Sequence, residues 1–166
     1  MKQTALKEFK RINDEVYYAT SPFCTVSRNT IDELKAIAIN NPRGRARICF
    51  HASPEAALHD MLIVLCKTAN NSPHMHLNKS EAFHLIEGRL KVVLFSDDGV
   101  IGESVELGGY PGKDASGAAF YCRIPVRTFH TVIPLSDTVV FREVTNGPFI
   151  PEETVFSSWA EPKGLR

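Results

Sequence analysis

Neither sign of charge dominates this sequence. Its 166 residues carry 19 Lys and Arg against 19 Asp and Glu, a formal net charge of zero. No global field steers it toward nucleic acid or an anionic membrane, so both are excluded as expected partners. Long apolar runs are missing as well; the longest are short pieces such as Ile63-Val64-Leu65-Cys66, far below a membrane span. The charged opening from Met1 to Lys10 lacks the apolar stretch of a signal peptide, which makes the cytoplasm the expected location. There is no CxxC pair. Cys24, Cys49, Cys66 and Cys122 are widely spaced, three of them in apolar surroundings, and read as reduced cysteines packed as small hydrophobes. The absence of a GxSxG elbow, a P-loop and a dinucleotide fingerprint leaves nucleophilic serine chemistry and nucleotide cofactors without support.

What is present is an ordinary globular composition, 43% hydrophobic and 23% charged, with no repeat and no low-complexity segment. Residues 1–41 have mixed character. Glu15-Val16-Tyr17-Tyr18-Ala19 reads as a short strand, pairing with a barrel edge or a partner subunit. Thr30-Ile31-Asp32-Glu33 has the capping-box pattern, and Ile31, Leu34, Ile37 and Ala38 follow helical spacing. Pro42 ends that helix near Asn40-Asn41. From Arg47 onward short Val-, Ile-, Phe- and Tyr-rich runs alternate with turn signals, among them Asn70-Asn71-Ser72-Pro73, Asp97-Asp98-Gly99 and Pro111-Gly112. Leu90–Phe95 with Val100-Ile101 reads as a hairpin, and Phe120–Ile124 and Thr138–Val144 as further strands. The expectation is an all-β sandwich or jelly-roll barrel over 42–160, a helix-bearing extension over 1–41, and a surface tail over 161–166.

The chemistry concentrates in His74-Met75-His76, followed by Glu81 and then Gly88. Histidines at i and i+2 on a strand share a face, so both imidazoles can reach one ion if that face turns inward. Glu81 opens the next strand, with Phe83 and Leu85 on its inward side and His84 on the outer one. Two imidazoles and a carboxylate form a donor set suited to Fe(II), Mn(II), Ni(II) or Zn(II). Pro125-Val126-Arg127-Thr128-Phe129-His130 offers the fourth ligand, His130, delivered by a proline-led turn to the start of a strand.

These residues carry a resemblance. HxH, four residues, Glu, six residues, Gly resembles the first cupin motif without a gap. The second motif is matched by Pro125 and His130, while Arg127 replaces its glycine and Pro134 its asparagine. More narrowly, the chain resembles the WbuC family of cupin-fold metalloproteins over roughly Val16 to Trp159. The matching segments include Tyr17-Tyr18-Ala19, Asn41–Arg47 running to Phe50-His51, Ile86–Leu90, Phe141–Val144, Gly147-Pro148 and Phe156–Trp159. The resemblance implies a cupin double-stranded β-helix with one divalent ion on His74, His76, Glu81 and His130. It also implies a tie to sugar metabolism, because that family is often encoded among bacterial surface-polysaccharide and O-antigen genes.

Other residues divide between binding and bland roles. Arg43, Arg45 and Arg47 alternate along an extended segment, either as a clamp for an anionic ligand or as a solvated loop. Arg127 faces the same choice between an anionic substrate and a salt bridge to Glu143. His51 joins Arg45, Arg47 and Arg127 as a substrate-binding candidate through the family resemblance; His59 and His84 read as structural. Tyr110, Tyr121 and Phe83 are core or cavity aromatics. The functional expectation is a metal-dependent enzyme acting on a small anionic sugar or nucleotide-sugar, such as an isomerase or epimerase. Its alternatives are an Fe(II) dioxygenase, a non-catalytic small-ligand binder and a sealed structural metal site. The strand-like N-terminal segment, as an added sheet edge, makes a homodimer the expected assembly.

Overall fold

A computed structural model describes residues 6–109, 118–160 and 165. Tyr110 and the Pro111-Gly112 turn signal lie outside the described residues. In chain order the elements are β1 (Phe9–Arg11), β2 (Val16–Ala19), α1 (Arg28–Asn40), β3 (Arg45–Cys49), β4 (Leu58–Cys66), β5 (His74–His76) and β6 (Glu81–Glu87). They continue with β7 (Arg89–Phe95), β8 (Ile101–Gly108), β9 (Tyr121–Ile124), β10 (Phe129–Pro134), β11 (Thr138–Asn146), a 3-10 turn (Pro151–Glu153) and β12 (Thr154–Phe156). Seven strands form one sheet in the order β1-β2-β3-β4-β11-β6-β9, and five form the other in the order β12-β5-β10-β7-β8. The strands form the jelly-roll barrel that their short, evenly spaced runs predict.

Alternation explains both faces of the larger sheet. Ala46 and Ile48 of β3, Leu62, Val64 and Cys66 of β4, and Val140 of β11 point outward and form one buried cluster with Tyr17, Leu34 and Ala38. Helix α1 is the lid on that cluster. Its start lies a few residues ahead of the predicted Thr30–Glu33 box: Ser27 is the N-cap, and the Thr30 backbone N–H donates to Ser27 Oγ at 3.3 Å. The Ser27 N–H donates back to Thr30 Oγ1 at 3.2 Å, so Thr30 closes the box from inside the helix. The strand predicted around Tyr17 runs parallel to β3 within its own chain, with β1 beyond it at the sheet edge.

The inner face of the same sheet meets the smaller sheet. Leu65, Phe83, Leu85, Leu90, Val92, Leu107, Val132, Val139 and Phe141 form the barrel's core. Between β6 and β7, Gly88 takes a φ of 83°, and a Cβ there would come within 2.7 Å of the Thr138 carbonyl oxygen. Only glycine suits that turn.

β10 is buried along its whole length because both of its faces are covered. His130 and Val132 look into the barrel. Phe129 and Ile133 pack outward against Phe95, Met75, Val155, Trp159 and Leu165. The end of the chain, predicted as a surface tail, therefore contributes Leu165 at 5% exposure and Trp159 to a third apolar cluster. The physical reason is plain. A strand flanked on both edges has a second apolar face, and something must cover it.

Truncating Leu34, which is fully buried under the sheet, leaves a cavity the helix can only partly close. Leu34→Ala is expected to cost about 2–5 kcal/mol in urea denaturation, with metal stoichiometry unchanged, since the helix covers the face opposite the histidines.

Candidate metal centre

Three histidines of the smaller sheet and one glutamate of the larger sheet converge. His74 lies directly opposite His130 in the β5–β10 ladder, and His76 follows two residues on along the same face. One ligand nitrogen from each of His74, His76 and His130 lies within 4.8 Å of the others. Glu81 reaches across from β6: its Oε1 is 3.0 Å from His76 Nε2, and its Oε2 is 2.9 Å from His130 Nε2. The sequence's four expected ligands thus come together in one place.

The other ring nitrogens fix the tautomers. His74 Nδ1 donates to the Ser72 carbonyl at 2.9 Å, and His130 Nδ1 donates to the Thr128 carbonyl at 2.9 Å. His76 Nδ1 lies 3.1 Å from Thr154 Oγ1 of β12. With Nδ1 carrying the proton in His74 and His130, Nε2 presents a bare lone pair toward the centre, as a metal ligand must.

That arrangement poses an electrostatic question. A lone pair on His130 Nε2 faces a lone pair on Glu81 Oε2 at 2.9 Å, inside a site where Glu81 is 7% exposed. Burial opposes the charge on Glu81, yet the close approach of His130 and then His76 outweighs it and holds the carboxyl below its usual range. Glu81 Oε2 has no hydrogen-bond donor among the described residues. Two acceptors held face to face call for a cation between them, and the N,N,N,O donor set is one that Fe(II), Mn(II), Ni(II) or Zn(II) accepts. Burial, and then the neighbouring His130, push His74 down to about 4, so it stays neutral and able to coordinate through the range where a free histidine protonates.

The remaining candidates are scattered. Arg45 does not reach the centre: its guanidinium pairs with Glu15 at 3.3 Å, beside Arg43 at 3.0 Å. Glu15 engages both, because it immediately precedes β2, the strand beside β3 in the sheet. Arg47 is exposed but faces the same side of the sheet as Cys49. Arg127 is exposed and makes no pair with Glu143, which lies inside the barrel on another strand. It does something else. Its φ of 57° is the left-handed turn conformation, and its N–H donates to the His76 carbonyl at 2.7 Å. Arg127 therefore occupies the motif's glycine position in the backbone shape that a glycine would take.

His51 is buried, accepts the Asp60 N–H on Nδ1 at 3.2 Å, and stacks on His59 with ring centroids 4.1 Å apart. Burial, and then His59, lower its pKa. His84 is exposed on the outer face opposite Arg142, as alternation predicts. Tyr121 is also exposed, opposite His84, and takes no part in the centre.

One residue was missed as a site member. Glu143 of β11 sits opposite Met61 of β4 and Phe83 of β6, one rung from the pair of Thr145 with Glu81. It consequently shares the inner face with Glu81. Burial first, and then the charge of Glu81, raise its pKa to about 8, with Arg47 and Lys79 opposing. Only register reveals this, because an isolated glutamate in a strand reads as solvent-facing.

A family profile described as a domain of unknown function, DUF6016, matches residues 26–107. No curated protein matches the chain. Among solved structures, protein SO0799 from Shewanella oneidensis aligns over 70% of this chain and 75% of its own, at a TM-score of 0.55 and 14% identity. The capsular polysaccharide assembling protein CapF from Staphylococcus aureus aligns over 70% of this chain at a TM-score of 0.53 and 21% identity. The chain has the cupin fold. It spans 30% of the length of CapF, so the likeness is to one part of that larger cupin-fold protein. Among the described residues, no helix is long and apolar enough to cross a membrane.

Elemental analysis of the protein should find about one equivalent of divalent metal. His74→Ala and His76→Ala should lose it, and His84→Ala should keep it. Removing the support of His76 by Thr154→Val should weaken metal affinity by roughly 10–100-fold. Arg127→Gly should leave metal content intact and raise the melting temperature, because it relieves a left-handed non-glycine residue at a cost of about 1 kcal/mol.

Proposed function

We propose that this cupin is a cytoplasmic, homodimeric metal-dependent enzyme of the WbuC type. Its substrate would be a small anionic sugar or nucleotide-sugar in surface-polysaccharide synthesis, and its reaction an isomerisation or epimerisation. The observation that carries this reading is Glu143, a carboxyl on the barrel's inner face that the metal ligands leave free. The segments that resemble WbuC proteins and the likeness to CapF, a capsular polysaccharide assembling protein, support the sugar connection. The outermost strand β1 offers an edge on which a second copy can pair.

When bound, a divalent ion supplies Lewis acidity toward a substrate carbonyl or hydroxyl oxygen. Everything else falls to the chain's own side chains. His74, His76, His130 and Glu81 would hold the ion and be committed to it. Burial first, and then the charge of Glu81, raise Glu143 above the ordinary carboxylate range. A group so placed can take a proton from a substrate carbon or oxygen and return it. Met61 and Phe83 stand opposite it in the two ladders and limit its solvation.

A second reading rests on the donor set alone. Three imidazoles and one carboxylate suit ferrous iron with positions left for dioxygen and substrate, the arrangement of a dioxygenase.

The metal-loaded protein incubated in deuterated buffer with a panel of sugars and nucleotide-sugars should incorporate solvent deuterium at one carbon, followed by proton NMR. Glu143→Gln should lower that exchange by roughly 100-fold or more while keeping its metal. Exchange that persists undiminished in Glu143→Gln would remove the proton-transfer role, and oxygen uptake by the ferrous protein would favour the dioxygenase.

A further inference from the structure

Two buried polar side chains, one in the turn just before β6 and one near the end of β11, have no structural explanation. Lys79 precedes Glu81 by two residues and is only 6% exposed. Its ammonium sits 4.8 Å above the Phe149 ring, and among the described residues no carboxylate stands within ion-pair distance of it. A ring face compensates an ammonium only in part, so a buried lysine without a counter-ion is an expense the fold has no reason to carry. Thr145 is also 6% exposed, and its hydroxyl has no hydrogen-bond partner among the described residues. It pairs directly with Glu81 in the β11–β6 ladder and with His59 in the β11–β4 ladder, so it looks inward beside the metal ligands.

The Ser80 N–H donates to Asn146 Oδ1 at 3.2 Å, which holds the turn carrying Lys79 against the end of β11 next to Thr145. The groups acting on Lys79 are Glu153, Glu81 and Glu143, and Lys79 in turn acts on His59. Of these carboxylates, Glu153 accepts a hydrogen bond from Asn78 at 2.9 Å, and Glu81 is committed to the histidine centre. With a divalent ion on three neutral histidines and one carboxylate, the centre carries a net positive charge, and Lys79 adds another. An ammonium two residues before Glu81, a hydroxyl opposite Glu81 in the ladder and a cationic centre suit an anion that touches all three.

We propose that Lys79 and Thr145 form an anion subsite beside the metal ligands, which binds the phosphate or carboxylate group of a small substrate. The inference deepens the metal-enzyme reading and rests on it for the third contact. Neither residue carried a signal in the sequence: Lys79 stood in a turn-like Asn78-Lys79-Ser80, and Thr145 near the end of a strand.

The test is calorimetric titration of the zinc-loaded protein with inorganic phosphate and, separately, with malonate. Saturable binding of either anion is expected, and whichever binds names the group recognised. Lys79→Met keeps the volume and the contact with Phe149, and should weaken binding tenfold or more with zinc content unchanged. Lys79→Arg should restore part of the affinity. Thr145→Val, a nearly isosteric change, should weaken binding several-fold and serves where Lys79→Met does not fold, as judged by thermal melting. Failure of the metal reading looks different: the protein would take up no zinc, yet phosphate or malonate would still bind in a Lys79-dependent manner. The subsite is overturned if neither anion binds the zinc-loaded wild type at millimolar concentration, or if Lys79→Met and Thr145→Val both bind as the wild type does.

Discussion

The contact on which the rest of this structure turns is the reach of Glu81 across the barrel to His76 and His130. It is a tie between the two sheets, made by a buried carboxylate and lone-pair nitrogens. Such a pair is unfavourable as it stands, because burial strips the carboxylate of water and the His130 imidazole proton points away to the Thr128 carbonyl. Every structural feature nearby makes sense as support for that arrangement. β10 is buried on both faces and so cannot shift. β12 braces β5 from its free edge and brings Thr154 to His76. Gly88 lets β6 turn tightly into β7, which holds Glu81's strand in one sheet and its neighbour in the other.

Polarity is graded along the inner face. Deep in the barrel the side chains are apolar, from Leu85 and Leu90 to Leu107 and Phe141. Toward the start of β6 and the end of β11 they become Phe83 and Glu143, then Glu81 and Thr145. The packed end supplies rigidity. It also supplies the low dielectric that raises Glu143 while the neighbouring histidines depress Glu81. Two carboxyls one rung apart are thereby driven in opposite directions, one toward permanent charge and the other toward neutrality. A pair of titratable groups so separated is a physical signature of divided roles.

Much of this was legible in the chain itself. The spacing from His74 through His76 to Glu81 encodes a strand, a turn and a strand, and period-two alternation then dictates which side chains meet. His84 was correctly turned outward by the same rule. What escaped was whatever depends on register between distant strands. Glu143 faces inward because β11 pairs with β4 on one side and β6 on the other, and no local pattern reports that. Arg45 looked like a ligand clamp because its partner, Glu15, stands thirty residues earlier on the far side of a helix. Residues 161–166 read as a surface tail, yet an uncovered face of β10 needed Leu165 beside Trp159.

Arg127 shows how a site outlives the letters of its motif. The turn before β10 must bring its N–H to the His76 carbonyl and then release the chain toward His130, and those two demands together set a positive φ. Glycine meets them without strain. Arginine meets them at a cost of about 1 kcal/mol, a small fraction of a domain's stability, so the backbone shape survives the substitution. The conformation is what positions the ligand, and the side chain is left exposed and free to vary. A motif position defined by backbone geometry therefore tolerates a change that would be fatal at a ligand position, where His130 has no substitute for its ring nitrogen. This is why the partial match of the second motif still delivers His130 opposite His74.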